Sequence, residues 1–206
     1  MKIKVVRDLS LADYTAESVN VIPFGSFQEI NFKRQMEGSS TDLVHAGKLS
    51  KKLGGLTFLG AETDNCGIKR RSVFVFEQGK LISICDQNRQ TDKFSPAFGY
   101  KTFLFCGKKF GVLVDNDIYD TDAVKTLINS DCNAIINLYA DFSARKAEIS
   151  AEFYSFVFGV DFVVVAPNCN YAYIASGSLL KQSDLKEFEI PCEKKYRELR
   201  IKKRGF

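Results

Sequence analysis

Apolar residues recur along this chain with two different periods, and the switches between them mark out the elements. Short apolar runs and every-second-residue alternation predict strands at 3–6, 19–23, 56–60, 72–76, 81–85, 101–105, 110–114, 134–138 and 162–166. Spacings of three and four predict helices at 40–53, 121–129 and 143–158. The second helix has Thr121 as a plausible N-cap and Asp122 in the first turn, where the helix dipole favours an acid.

Two of the strand pairs are separated by short glycine-containing loops, Glu77-Gln78-Gly79-Lys80 and Cys106-Gly107-Lys108-Lys109, and so read as hairpins. Consecutive hairpins flanked on both sides by helix–strand units point to mixed sheets rather than one parallel sheet. A four-layer αββα sandwich fits that order: two stacked sheets with helices on both outer faces. A chain of 206 residues is long enough to bury such a core as one domain spanning 1–206, and no repeat or low-complexity linker divides it.

Composition narrows the setting more than the chemistry. Hydrophobic residues at 45% and charged residues at 26% describe an ordinary globular chain. The net charge of +4 is mild, and the excess lies in 193–204, a stretch attractive to nucleic acid or an anionic membrane. No RNA-binding signature accompanies it, so it reads as a solvated tail with Tyr196, Leu199 and Ile201 held against the body or a second subunit. Neither nucleic acid nor membrane is expected as a partner. No apolar run approaches the ~20 residues that span a bilayer, and the chain enters a strand pattern at once, without a signal-peptide core. The six cysteines are scattered with no C-x-x-C pair, which suits small buried hydrophobes in a reducing cytoplasm. With His45 as the only histidine, and that on the surface of a predicted helix, no metal site or cofactor is expected.

Candidate chemistry gathers after the apolar strand 110–114, which delivers Asp115, Asn116 and Asp117 at its C-terminal end. The run Val112-Leu113-Val114-Asp115-Asn116-Asp117 resembles the D-x-D strand of haloacid-dehalogenase-type phosphatases, which implies Mg²⁺-dependent phosphoryl transfer with Asp115 phosphorylated and Asp117 as general acid. That pattern wants Thr or Val where this chain has Tyr119, and the motif normally opens its domain.

A broader resemblance covers about two-thirds of the chain. The stretch from Lys108 to Asp117, the hairpin from Gly67 to Lys80, the strand Asn133-Ala134-Ile135-Ile136-Asn137 and the segment from Phe153 to Asn168 together resemble the nitrilase (carbon–nitrogen hydrolase) superfamily. That family is understood to use a glutamate base, an oxyanion-stabilising lysine and an acylated cysteine. Here the matching positions hold Phe24, Gln87 and Asp115. The resemblance therefore implies the family sandwich without its chemistry: a non-catalytic protein binding a small amide or carboxylate through Asp115, Asn116, Asp117, Gln87 and Asn168, and pairing as a homodimer through helices 121–129 and 143–158. The alternative within the family is an active amide or nitrile hydrolase in which Cys85 or Cys169 supplies a displaced thiol. Only 8–18 is available where the family has a long helix between its first two strands, and the end after Ser178 is short.

Overall fold

The computed structural model describes residues 1–11, 13–183 and 187–193. The basic stretch from Lys194 onward, with Tyr196, Leu199 and Ile201, lies outside the described residues. One sheet has the order β13-β1-β2-β4-β5-β6, built from β13 (Glu187–Glu189), β1 (Lys2–Val5), β2 (Ser18–Ile22), β4 (Leu56–Asn65), β5 (Ile68–Glu77) and β6 (Lys80–Asp86), with the short β3 (Ile30–Asn31) joined to β4. The second has the order β12-β11-β10-β9-β8-β7, from β12 (Leu179–Ser183), β11 (Asn170–Tyr173), β10 (Asp161–Val165), β9 (Ala134–Leu138), β8 (Lys108–Val114) and β7 (Thr102–Phe105).

Each sheet has a parallel centre, β1-β2-β4 in one and β8-β9-β10 in the other, flanked by antiparallel strands. Parallel neighbours need crossovers, and helices supply them. Helix α2 (Asp42–Leu53) links β2 to β4 after the short α1 (Phe32–Met36), while α3 (Thr121–Asn129) and α4 (Arg145–Phe158) link β8, β9 and β10.

Alternation along the strands divides the core into layers. Val19, Val21, Phe58, Val73 and Val75 of the first sheet meet Phe110, Val112, Val114, Ile136 and Val163 of the second. On the opposite faces, Leu59, Phe74 and Phe76 pack under Ala46, Leu49 and Leu53 of α2. Leu113, Ile135 and Phe162 pack under Val124 and Leu127 of α3 and Ala147, Ala151 and Tyr154 of α4. The expected αββα sandwich is therefore present.

Three local features differ from the sequence expectation. The α3 cap is Asp120 rather than Thr121: its carboxylate accepts the N–H groups of Asp122 and Ala123. Between β1 and β2 the described residues form a single 3-10 turn, at Leu9–Leu11. Most consequentially, β4 and β5 form a hairpin with ten-residue strands, each much longer than the five apolar positions in it. Its turn is made by Cys66 and Gly67, at φ 54° and 89°, the left-handed conformations favoured by tight hairpin turns.

Candidate functional site

Asp115 sits where β8 ends and a 3-10 turn, Asp115–Tyr119, begins. Val112 and Val114 face the other sheet, and the backbone then turns through φ 51° at Asp115, a conformation that residues with a Cβ seldom adopt. The glycine four residues earlier has a packing reason: a Cβ on Gly111 would come within 3.0 Å of Leu127 on α3 and 3.1 Å of Cys132. The Asp115 side chain is fully buried, and each oxygen is bound. Oδ2 accepts from Arg71 Nη1 at 2.6 Å, and Oδ1 accepts from the Ala140 backbone N–H at 3.0 Å.

Arg71 belongs to a polar row that crosses the facing sheet. Register places it opposite Glu62 of β4, and on its other side the Gln87 N–H donates to the Arg71 carbonyl at 2.9 Å. Directly opposed residues project to the same face, so Glu62, Arg71 and Gln87 stand side by side at the edge of the inter-sheet core. Arg71 Nε lies 3.8 Å from a Glu62 carboxylate oxygen, and the guanidinium rests 4.6 Å from the centre of the Phe94 ring, within cation–π range. The adjacent row, Gly60–Val73–Cys85, is apolar. Phe24 packs onto it, close enough that a Cβ on Gly60 would lie 3.1 Å from its ring.

Asp117 closes the back of this region. Its carboxylate accepts the N–H of Asn88 at 3.0 and 3.1 Å and that of Arg89 at 2.8 Å, tying the chain after β6 to the end of β8. Burial pushes its pKa up to about 6, against the pull of the donated N–H groups of Asn88, Arg89 and Val114. Asn116 is half-buried beside it. Gln87 is fully buried; its Nε2 donates to the Arg89 carbonyl at 2.9 Å while its Oε1 finds no partner.

The fold thus brings Phe24, Gln87, Asp115, Asn116 and Asp117 to one end of the sandwich, where the parallel strands of both sheets finish. Asn168 lies at the same end of β10 but is exposed in the bend beyond it, and no described contact joins it to Arg71 or Asp115. The buried asparagine there is Asn170, whose Oδ1 accepts from Arg7 at 3.1 Å. Of the two candidate thiols, Cys85 faces the inter-sheet core, and burial pushes its thiol up to about 12. Cys169 packs with the α3 and α4 side of the second sheet. Sequence reasoning missed Arg71 and Glu62. The available signal was the alternation Glu62/Asp64 and Lys69/Arg71, polar residues at strand spacing on either side of Cys66-Gly67.

No protein-family model and no curated protein matches the sequence. Solved structures do match the fold. Nit3 from Saccharomyces cerevisiae, a member of branch 10 of the nitrilase superfamily, superposes with a TM-score of 0.72 at 13% identity, over 89% of this chain and 85% of that one. A carbon–nitrogen hydrolase from Helicobacter pylori G27 gives 0.70 at 15%, over 84% and 77%. A glutamine-dependent NAD+ synthetase from Acinetobacter baumannii gives 0.66 at 14%, over 80% of this chain but only 36% of its own longer one. Two mixed sheets stacked face to face, with Asp115 at the end of β8, give this chain the same fold as these solved structures.

Proposed function

We propose that this protein is a non-catalytic carbon–nitrogen hydrolase-like protein that binds a small polar molecule, an amide or carboxylate, at the Glu62–Arg71–Gln87 end of the sandwich. The observation that carries this reading is the state of Asp115. A nucleophile must be reachable and must have an electron pair free to attack, yet Asp115 is fully buried with one oxygen held by Arg71 and the other by Ala140. Phe24 at the base position cannot take a proton, and Gln87 at the lysine position brings no charge to an oxyanion.

The other chemistries find less support. A displaced thiol at Cys85 would stay protonated at neutral pH, since burial holds it up to about 12. For D-x-D phosphoryl transfer, Asp117 is already committed to the backbone of Asn88 and Arg89. Among the described residues no three His, Cys, Asp or Glu side chains group as metal ligands. Homodimer formation through α4 fits this reading, because Ile149, Phe153, Phe156 and Val157 repeat at helical spacing on its exposed face.

The test is ammonia release from a panel of amides and nitriles, with intact-mass analysis for acyl adducts. No turnover and no adduct is the expected result. Turnover that disappears in Asp115→Ala would overturn the non-catalytic reading, as would acylation of Cys85.

A further inference from the structure

Away from the Asp115 region, on the outer face of the first sheet, a cleft of about 510 Å³ runs between α2 and the turn at Leu9–Leu11. That volume lies within the range of small-molecule sites. Its lining divides by chemistry. Leu9, Val44 and Leu49 give it an apolar wall, while His45, Lys48 and Lys52 give it a basic one, with the hydroxyl of Thr41 at the start of the helix. Positions 45, 48 and 52 recur at three- and four-residue spacing, so their groups share one helix face and spread over about 10 Å of its length.

Two observations define the chemistry of this cleft. First, no carboxylate lines it among the described residues, and neither Lys48 nor Lys52 has an ion pair or side-chain hydrogen bond there. Second, the basic groups stand beside apolar side chains of the same cleft, and Phe27 holds the His45 ring edge-on at 5.9 Å between centroids.

We infer that this cleft binds an amphiphilic anion, a single carboxylate or phosphate headgroup on an aliphatic or aromatic body. The headgroup lies against Lys48 and Lys52 beside the His45 ring, and the body lies along Leu9, Val44 and Leu49. The same headgroup chemistry is offered by a free amphiphile and by an anionic lipid surface; a cleft with three apolar side chains along one side suits the body of the free molecule. This site is separate from the proposed amide or carboxylate site and does not depend on it.

His45 is the only histidine, so its ring C–H signals in a proton NMR spectrum of untagged protein report on this cleft alone. Decanoate and decyl phosphate, titrated below their micellar concentrations, are expected to shift those signals saturably, with matching heat in calorimetry. Decanol is expected to bind at least about tenfold more weakly. The variant Lys48→Glu/Lys52→Glu is expected to lose about tenfold or more in affinity while keeping its circular dichroism spectrum. Lys80→Glu/Lys146→Glu, with the same change in net charge at positions outside the cleft, is expected to bind like the parent. An unmoved His45 signal at high decanoate, equal affinity for decanol, or unchanged affinity in Lys48→Glu/Lys52→Glu would overturn the inference. So would cosedimentation with phosphatidylglycerol but not phosphatidylcholine vesicles, unaccompanied by decanoate binding, which would make the face a membrane contact.

Discussion

The two ends of the sandwich solve the same problem, a buried aspartate, in opposite ways. At the start of β10, Asp161 accepts the Ala175 N–H at 2.8 Å and the Cys192 N–H at 2.7 Å, and so pins the chain after β11 and the segment after β13 to the body. At the end of β8, Asp115 takes a guanidinium and one N–H, on a backbone held at positive φ. The buried side-chain atoms left without a partner among the described residues all belong to this second end. They are Arg70 Nε, Arg71 Nε, Gln87 Oε1, Asn88 Oδ1, Thr91 Oγ1 and Asn170 Nδ2. Unmet buried hydrogen-bonding groups cost stability. Their collection where the parallel strands finish, the usual site of chemistry in α/β proteins, means that one end is built for stability and the other is left with polar capacity to spare.

Removing the charge partner should separate the two ends most sharply. Arg71→Ala leaves Asp115 buried without its cation, and breaking a buried pair from one side costs about 3–5 kcal/mol. Asp161→Ala leaves two buried N–H groups unmet and should cost about 2–4 kcal/mol. Urea denaturation of the two variants measures both losses. A loss in Arg71→Ala smaller than that in Asp161→Ala would remove the distinction.

The buried core strands are the part of the molecule easiest to read in the sequence. Apolar runs such as Phe162 to Val165 and Ile135 to Leu138 are fully buried on both faces, so hydrophobicity alone located them and the layering followed. The site was only half legible. Gly111, Asp115 and Asp117 were visible because a glycine and an apolar strand frame them. Arg71 and Glu62 were not, because β4 and β5 continue beyond their apolar cores into polar residues, which local pattern reads as loop. Only the facing sheet, which presents Asp115 to Arg71, turns that polar extension into part of the site. A strand ending in asparagine suggested Asn168; the structure places Asn168 exposed in the bend after β10, and the buried asparagine lies two residues on, at Asn170.

Asp117 gives the next effect. Its pKa in the folded state is raised from an ordinary 3.8 to about 6, so the unfolded chain releases this proton first as pH rises. The contribution is therefore greatest below about pH 4, declines through the interval up to about pH 6, and is lost above it. A two-unit difference corresponds to about 3 kcal/mol at most. Asp117→Asn removes the titration, and the difference in unfolding free energy between this variant and the parent should drift across pH 4–6 and level off above. A constant difference over that range would mean that Asp117 titrates normally and that the loop from Asn88 to Arg89 is not held by a strained acid.

The smallest effect tests how far the polar row depends on burial. Glu62 stands 3.8 Å from Arg71 Nε with its side chain 49% exposed, whereas Asp115 at the other side of the same guanidinium is 0% exposed. Solvent screens the outer contact and not the inner one. Glu62→Gln should therefore change stability by less than about 1 kcal/mol, and 1 M salt should erase most of that difference. The same salt should leave the loss in Arg71→Ala largely intact. If Glu62→Gln costs as much as Arg71→Ala, the row acts as one buried network, and the proposed opening for a ligand at its Glu62 edge is closed. If it costs little, Glu62 is the solvent-facing side of the site and the residue through which an arriving polar molecule first meets Arg71.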